Sequence, residues 1–480
     1  MGMKTERHIG RSLQSILYGC KPPQSMIYSI PMQKEVPVMA IKLSDHFTYK
    51  KLLRFVFPSI MMMICTSIYS IVDGYFVSNY VGKTAFSAVN LTMPILIIMG
   101  AIGFMLGAGG TAIVAKVLGE GDREKANRIF SFMVYALILG GVITTLICLP
   151  LLRPVLTLLG ATGEMLELAV LYSQIIIAAN TCFMVQNLFQ SFFIAAEKPK
   201  LGLYVTILAG VTNIVLDLLL VGILNFGIAG AAIATILGQF VGCIIPMIYF
   251  AKPNSSLLRF TKPLWDMKIL LKACGNGSSE FMNNVAASVV SMLFNFQLLK
   301  YQGENGLAAY GTIMYVNFIF AAIFFGYAMG SAPVISFHYG AGNPKELHNL
   351  YKKSLTVMTV GGVIMAIVSF CGAVPFSKLF VGYDQTLMNL TVQGFRLYAV
   401  TFALMGINVF SSAFFTALNN GIVSATISFL RTFLFQTVAI LTLPLLFHTN
   451  GIWLATATAE LLALAASIFF FANQKKKYNY

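Results

Sequence analysis

Residues 55–79 read FVFPSIMMMICTSIYSIVDGYFVSN, an apolar run whose single carboxylate, Asp73, lies near its far end. A run of this length can cross the hydrocarbon core of a bilayer, about 30 Å thick, as an α-helix. A charged side chain at the bilayer centre costs roughly 2.5–3.5 kcal/mol on insertion scales, and such residues usually serve ion binding or exchange. The run therefore predicts a membrane-spanning helix that carries a functional acid.

Three further carboxylates are flanked by apolar runs in the same way: Asp217, Glu280 and Glu460. The whole chain has only 17 Asp and Glu residues, and 10% of its residues are charged, against about 25% in soluble domains. Intramembrane carboxylates usually face a cavity and bind, pair with or exchange a cation. This pattern makes a cation-driven transporter the first hypothesis, ahead of a soluble enzyme.

Apolar runs of spanning length recur along nearly all of the chain after residue 54. Twelve of them can be distinguished: 55–79, 87–115, 129–150, 166–195, 201–224, 228–251, 270–299, 307–337, 354–376, 387–417, 421–447 and 452–473. They are continuous instead of alternating in pieces of about ten residues, which argues against a β-barrel. The predicted fold is all-α, a polytopic membrane protein with twelve transmembrane helices.

The positive charges lie on one side of this predicted topology. Of the Lys and Arg residues, 26 lie in or next to the tails and the even-numbered loops, and only four lie in the other loops. Cytoplasmic loops are enriched in Lys and Arg, so both termini are predicted to be cytoplasmic, in a multi-pass protein of the plasma (inner) membrane. This placement explains the net charge of +15, and no nucleic-acid partner is expected.

The first 50 residues contain no apolar run long enough for a signal peptide, and their prolines and scattered charges predict a poorly ordered tail. An amphipathic stretch follows Met39, so the natural start is expected near this residue. The loop between the sixth and seventh spans is expected to be a plain tether. The predicted divisions are a cytoplasmic tail (1–50), an N-terminal six-helix bundle (51–252), a cytoplasmic linker (253–269) and a C-terminal six-helix bundle (270–480).

The two bundles repeat three landmarks in the same order. The pairs are Gly119-Glu-Gly-Asp with Gly340-Ala-Gly-Asn, Phe189-Gln-Ser-Phe-Phe with Phe410-Ser-Ser-Ala-Phe-Phe, and Gly227-Ile with Gly451-Ile. Their offsets are 221, about 222 and 224 residues. Because six spans return the chain to the same side, the halves are predicted to be parallel repeats, as in transporters whose halves rock about a central site.

The fifth span contains Asn213 and Asp217, which a four-residue spacing places on one helical face. Together with Asp73 of the first span they offer hard oxygen ligands, which suit Na⁺ or a carboxylate that takes up a proton. Thr235 of the sixth span adds a hydroxyl if that span packs on the fifth. The alternative is that the two aspartates are helix-packing groups satisfied by polar neighbours. The matching stretch of the second half is apolar, so the predicted coupling site belongs to the first half.

For the other polar residues of the spans, the sequence leaves more than one role open. Glu280, near the predicted start of the seventh span, either contacts cationic substrate, lies at the cytoplasmic mouth of the cavity, or is a carboxylate favoured by the helix N-terminus. Glu460 is placed to pair with Arg431 in a structural ion pair, or to contact substrate. A polar stripe on the fourth span either lines a central cavity or forms interhelical hydrogen bonds: Gln186, Asn187 and Gln190.

In combination, the twelve spans, the repeat, Val72-Asp73-Gly74, Asn213-x-x-x-Asp217 and Ala231-Ala-x-Ala-Thr235 resemble the multidrug and toxic compound extrusion (MATE) family. The resemblance covers about residues 42–473. It implies an antiporter that exports drug-like, often cationic, small molecules in exchange for Na⁺ or H⁺, acts as a monomer and needs no cofactor. One prokaryotic branch has a cation site that matches this chain residue by residue: Asp73, Asn213, Asp217 and Thr235.

Other branches of that family place the cation-linked carboxylates in the seventh and tenth spans. This chain has Glu280 in the seventh, but no Asp or Glu in the tenth beyond Asp384 at its edge. The runner-up function is a lipid-linked oligosaccharide flippase of the same superfamily, which would line its cavity with Arg or Lys. A membrane-embedded enzyme is less favoured, because neither an H-E-x-x-H nor a D-D-x-x-D motif occurs. No enzyme activity is expected.

Overall fold

The computed structural model describes residues 41–480, which form one compact unit. Within that range the chain is helical apart from short connecting segments, and no strand occurs there. The helices are α1 Tyr49–Phe76, α2 Lys83–Gly119, α3 Arg123–Leu158, α4 Gly163–Ala178, α5 Asn180–Ala195, α6 Pro199–Asp217, α7 Gly227–Ala251, α8 Met267–Gly340, α9 Pro344–Val381, α10 Gln385–Ala417, α11 Gly421–Ser428 and α12 Phe435–Tyr478. The predicted start near Met39 lies outside the described residues.

Nine helical stretches of the described residues are long and apolar enough to cross a membrane, and ten if the bent pair α4 and α5, with a 53° angle, is one span. Two of these stretches contain a turn. Gly303 (φ 59°) interrupts α8 and His448 (φ 50°) interrupts α12. As an unbroken helix, the 74 residues of α8 would measure about 110 Å, several times the bilayer core. The two stretches that contain a turn therefore contribute two spans each, which raises the count from ten to twelve. The predicted twelve-helix fold is confirmed.

Each copy of the first repeated landmark ends one span and starts the next. Gly121 (φ 89°) and Gly342 (φ 61°) adopt the left-handed conformation that glycine tolerates best. The following Asp122 and Asn343 are N-caps, whose side chains accept a hydrogen bond from the third residue of α3 and α9, respectively. The same local chemistry thus makes the same tight reversal in both halves.

The apolar residues form two cores, and α1 takes part in both halves of the molecule. One core comprises side chains between Val77 and Ala273. The other comprises side chains of α8–α12 together with Leu52 and Phe55 from the first half of α1. A Cβ on Gly326 of α8 would lie 2.5 Å from the Cα of Ile60, so the glycine permits this close helix contact. The N-terminal part of α1 therefore packs on the second half, and Asp73 lies further along the same helix.

The two halves approach each other closely at one end of the bundle. This end is called the basic end, because the Lys- and Arg-rich connections lie there. The other end of the bundle is called the opposite end. A Cβ on Gly109 of α2 would overlap the carbonyl of Ala273, and one on Gly277 would overlap the carbonyl of Met105. A Cβ on Gly119 would likewise overlap the carbonyl of Phe337 in the second half. Glycine at these positions lets α2 and α8 pack backbone to backbone.

Gly277→Val is therefore expected to prevent this closed arrangement at the basic end. The measurement is cross-linking by a short bifunctional thiol reagent between cysteines placed at Ala112 and Asn419, since the Asn419 amide donates to the Ala112 carbonyl at 3.3 Å. Cross-linking should be largely lost in Gly277→Val. It should persist in Gly275→Val, because a Cβ on Gly275 meets nothing within 4 Å. Equal cross-linking in both variants would contradict the assigned contact.

The connection between the halves is docked on α3 and is not the plain tether that the sequence predicts. The Arg259 N–H donates to Asn127 Oδ1 at 2.8 Å, and the Thr261 N–H donates to Ser131 Oγ at 2.9 Å. The Phe130 and Phe260 rings stack with centroids 5.2 Å apart. That prediction is wrong because the linker supplies backbone donors and an aromatic ring whose partners lie more than 100 residues away.

Residues 41–48 are also docked, so the predicted poorly ordered tail does not extend through them. Leu43 and Phe47 are completely buried. The Phe47 N–H donates to Glu346 of α9 at 2.9 Å, and the Leu43 N–H donates to Glu197, in the turn before α6, at 2.6 Å. The segment bridges both halves at the basic end, through contacts that its own composition does not reveal.

Candidate functional site

The four residues predicted to form the coupling site meet in one buried pocket between α1, α6 and α7. The Thr235 hydroxyl donates to Asp73 Oδ1 at 3.3 Å. Asp73 also lies beside Asn213 and Asp217. Asp73, Asn213 and Asp217 are all buried. Residues that are 162 positions apart in the chain are thus brought together as the sequence predicts.

Small residues on α6 and α7 allow this assembly. A Cβ on Gly210 would lie 3.2 Å from the Tyr69 ring, which is one turn before Asp73 on α1. A Cβ on Gly238 of α7 would lie 3.1 Å from the Asn213 Cβ. Both neighbouring helices therefore approach the face of α6 that carries Asn213, and the four-residue spacing places Asp217 on that face as well.

The pocket contains polar atoms without hydrogen-bond partners. Within residues 41–480, neither carboxylate oxygen of Asp217 has a partner, and neither polar atom of the Asn213 amide has one. Buried polar groups are almost always hydrogen-bonded, since leaving one unpaired costs about 1–3 kcal/mol. Four such atoms lie on adjacent turns of α6, two on Asn213 and two on Asp217.

Within the described part of the chain, no basic side chain neutralises the pocket. None of the ion pairs among residues 41–480 includes Asp73 or Asp217. Two neighbouring carboxylates in a region of low dielectric repel each other, so the doubly ionised state is unfavourable. A bound proton or a metal cation removes this repulsion.

The donor set suits a monovalent cation better than a transition metal. The described residues contain no group of three or more His, Cys, Asp or Glu side chains that could hold a metal ion. The pocket offers instead two carboxylates, an amide oxygen and a hydroxyl, which are the oxygen ligands that hard cations prefer. Na⁺ fits such a set, and so does a proton on one carboxylate.

Two further polar residues, one near the carboxylates and one on the helix of Thr235, were not predicted. Tyr172 of α4 is buried next to both Asp73 and Asp217. Gln239 lies one turn along α7 from Thr235, and its Oε1 has no partner in the described part of the chain. The four-residue spacing from Thr235 was a usable signal for Gln239. Tyr172 carried no such signal, because its position depends on how α4 packs.

π-helical segments follow both aspartates. Val77–Val81 begins one turn after Asp73, and Leu218–Ile223 begins directly after Asp217. Such segments are rare and are found frequently at functional sites, where the helix gives up regular hydrogen bonding. The helices that carry the two carboxylates are therefore irregular beside the pocket, which suits a site whose occupancy changes the shape of a helix.

Two ranges of the chain, 58–219 and 281–442, match the family model described as MatE, and together they make up more than half of the chain. The chain belongs to the MATE family. The two matches lie one after the other, one in each predicted half. The sequence-based recognition of the family and the two-repeat organisation are thereby confirmed.

Known proteins agree with this assignment. The multidrug export protein MepA of Staphylococcus saprophyticus is 22% identical over 428 residues, which cover 88% of this MATE chain and 91% of MepA. A crystal structure of MATE in complex with MaL6 has a TM-score of 0.85 at 21% identity and covers 90% of this chain and 98% of its own. The outward-facing conformation of a multidrug resistance MATE transporter has the same TM-score and identity and covers 90% and 97%. These likenesses show the fold.

The polar stripe of the fourth span is buried inside the first half of this MATE protein. The cavity beside Gln186 and Gln190 has a volume of about 10 Å³, room for about one water molecule. A Cβ on Gly242 of α7 would lie 2.5 Å from the Gln186 side chain, so the helices are tightly packed here. Gln186, Asn187 and Gln190 are each at most 5% exposed, and their role in substrate binding stays a prediction.

Glu280 is not at a helix N-terminus. Helix α8 begins at Met267, so Glu280 lies more than three turns inside it, and the interpretation as a carboxylate held by the helix dipole is wrong. The physical reason is that the basic segment around Lys272 is already helical. Glu280 lies instead in the second half, near Arg431 and Asn283.

Glu460 forms a buried ion pair with Arg431. The Arg431 Nε–H donates to Glu460 Oε1 at 2.8 Å, and the Asn408 amide donates to Glu460 Oε2 at 2.7 Å. The two charged side chains are only 5% and 1% exposed. Because both carboxylate oxygens are already engaged, the geometry favours the structural interpretation of Glu460 over substrate contact.

Proposed function

We propose that this MATE protein is a secondary active multidrug efflux antiporter that exports drug-like, cationic compounds in exchange for Na⁺ or H⁺. The observation that carries the proposal is the buried pair Asp73 and Asp217, with unpartnered oxygens on Asp217 in the described structure. The relative MepA is a multidrug export protein, which supports this substrate class. The protein acts as a monomer in the plasma membrane, with both termini in the cytoplasm.

In the proposed mechanism, Asp73 and Asp217 bind the coupling cation, and Asn213 and Thr235 are neutral ligands. The first half of α1 is anchored on α8 near Gly326, while its second half carries Asp73. A change in cation occupancy therefore pulls on a helix that contacts both halves. Coupling requires only that cation and substrate favour different conformations.

The direction of transport follows from the contact between the halves. The close α2–α8 packing shuts the basic end, which the positive-inside rule assigns to the cytoplasm. Release of substrate then occurs toward the opposite end. Rebinding of substrate from the cytoplasm requires the contacts at Gly109 and Gly277 to separate, as expected for parallel halves that rock about a central site.

The charges of the second half favour cationic over anionic cargo. A flippase for pyrophosphate-linked lipids would need free cations in its cavity, but Arg431 is neutralised by Glu460. The other in-span cation, Arg396, lies on the exposed face of α10. Glu280 is a further carboxylate in the second half and lies near Arg431. It is a candidate contact for the positive charge of a substrate.

The test is efflux of a fluorescent cationic dye from proteoliposomes in which a Na⁺ gradient and a proton gradient are imposed separately. At least one inward gradient should accelerate dye export by about tenfold, within the 5–150-fold range of typical coupling. The variant Glu167→Gln, which removes an exposed carboxylate in the same half, should respond as the wild type does. Dye export that ignores both gradients would overturn the proposal.

A further inference from the structure

Arg396 is a cation in a lipid-facing position that the transport proposal leaves unused. It lies inside α10, and its guanidinium sits over the Phe370 ring of α9 at 5.6 Å. Phe370 is 53% exposed, and Val400, one turn further along α10, is 52% exposed. Large apolar side chains that are exposed on both sides of Arg396 indicate that this surface contacts acyl chains.

A groove with a volume of about 440 Å³ opens beside this guanidinium. Its polar residues Asn389, Gln393 and Arg396 are spaced by four and three positions, which places them on one face of α10. The Gln393 amide donates to Asn450 Oδ1 at 2.7 Å and so ties the turn after His448 to α10. The lining residues are Asn389, Val392, Gln393, Arg396, Leu397 and Asn450.

Apart from the Phe370 ring, the guanidinium has no ion-pair partner among the described residues. None of the ion pairs within residues 41–480 includes Arg396, and the groove is lined by no carboxylate. An arginine inside a span is costly unless an anion or water satisfies it. Its planar set of donors matches the oxygens of a phosphate in a bidentate manner.

We propose that this groove binds the phosphate of an anionic phospholipid in the leaflet at the opposite end of the bundle. Arg396 pairs with the phosphodiester, and the amides of Asn389 and Gln393 hydrogen-bond the polar headgroup. The acyl chains lie against the exposed apolar surface around Phe370. A lipid with net negative charge is favoured over a zwitterionic one, because no acid in the groove meets a choline cation. This inference does not depend on the proposed transport activity.

The test is native mass spectrometry of the detergent-purified protein after addition of phosphatidylglycerol, phosphatidylcholine or inorganic phosphate. The wild type should retain one phosphatidylglycerol molecule that Arg396→Gln retains about tenfold more weakly, as expected for loss of a charge-assisted contact. Arg396→Lys should restore part of the retention, because it keeps the charge and loses the bidentate geometry.

The matched control is Arg153→Gln. Arg153 is also exposed, but it is paired with Glu167, so the variant should retain phosphatidylglycerol as the wild type does. Undiminished retention in Arg396→Gln would overturn the site. Equal retention of phosphatidylcholine would overturn the preference for an anionic lipid, and displacement of phosphatidylglycerol by millimolar inorganic phosphate would overturn the assignment to a lipid.

Discussion

Asp217→Asn is expected to reduce export of a cationic dye by about tenfold or more, within the 5–150-fold range of typical coupling. Asn resembles a permanently protonated carboxyl group in shape, so it keeps the packing of α6 but can neither bind Na⁺ as a charged ligand nor release a proton. The pocket then stays in one state of the cycle. The measurement is dye efflux from cells that express the variant at the wild-type level.

Two comparisons make this result specific. Asp73→Asn should give a similar loss, because the two carboxylates share one pocket, whereas the exposed Glu167→Gln should export dye normally. The double variant of Asp73 and Asp217 should be no worse than either single variant, since residues that act as one unit are not additive. Wild-type efflux by Asp217→Asn would count decisively against the coupling role.

Glu460→Ala is expected to destabilise the protein by about 3–5 kcal/mol, because it leaves the Arg431 charge buried without its partner. The Asn408 amide, which donates to Glu460 Oε2 at 2.7 Å, loses this acceptor as well and keeps only the backbone carbonyl of residue 460. The effect should be read as a lower melting temperature of the detergent-purified protein. Transport assays on this variant then need correction for the amount of folded protein.

The exposed pair Arg153 and Glu167 is the matched control for this prediction. Its side chains are 56% and 62% exposed, against 5% and 1% for Arg431 and Glu460. Exposed pairs contribute about 0–1 kcal/mol, so Glu167→Ala should barely change the melting temperature. Replacing both buried partners, as in Arg431→Met with Glu460→Leu, should restore most of the stability. If Glu460→Ala melts like the wild type, the pair has no structural role.

The overall topology was readable from the sequence because hydropathy reports directly which stretches cross a bilayer. The gaps between the predicted spans at 299–307 and 447–452 enclose Gly303 and His448, where the structure turns. The bend between α4 and α5 and the three π-helical segments were not predicted. They arise from packing and local hydrogen bonding, which the hydropathy of a stretch does not report.

The pocket was predictable to the extent that its chemistry is local. Asn213 and Asp217 share a helical face by spacing alone, and an acid inside an apolar span such as Asp73 is conspicuous. Tyr172 was missed because nothing in its own sequence neighbourhood distinguishes it from other buried tyrosines. The docking of Phe47 on Glu346 was missed for the same reason, since both partners look like ordinary residues of a basic loop region.

In the proposed mechanism, cation occupancy of the Asp73 and Asp217 pocket and binding of substrate exclude each other. The most direct measurement is the affinity of the purified protein for a fluorescent cationic substrate, titrated with Na⁺ at constant ionic strength and, separately, with protons. We expect one of the two ions to weaken substrate binding at least about fivefold in the wild type and to have no effect in Asp217→Asn. An affinity that neither ion changes, or an equal decrease in the variant, would contradict the account.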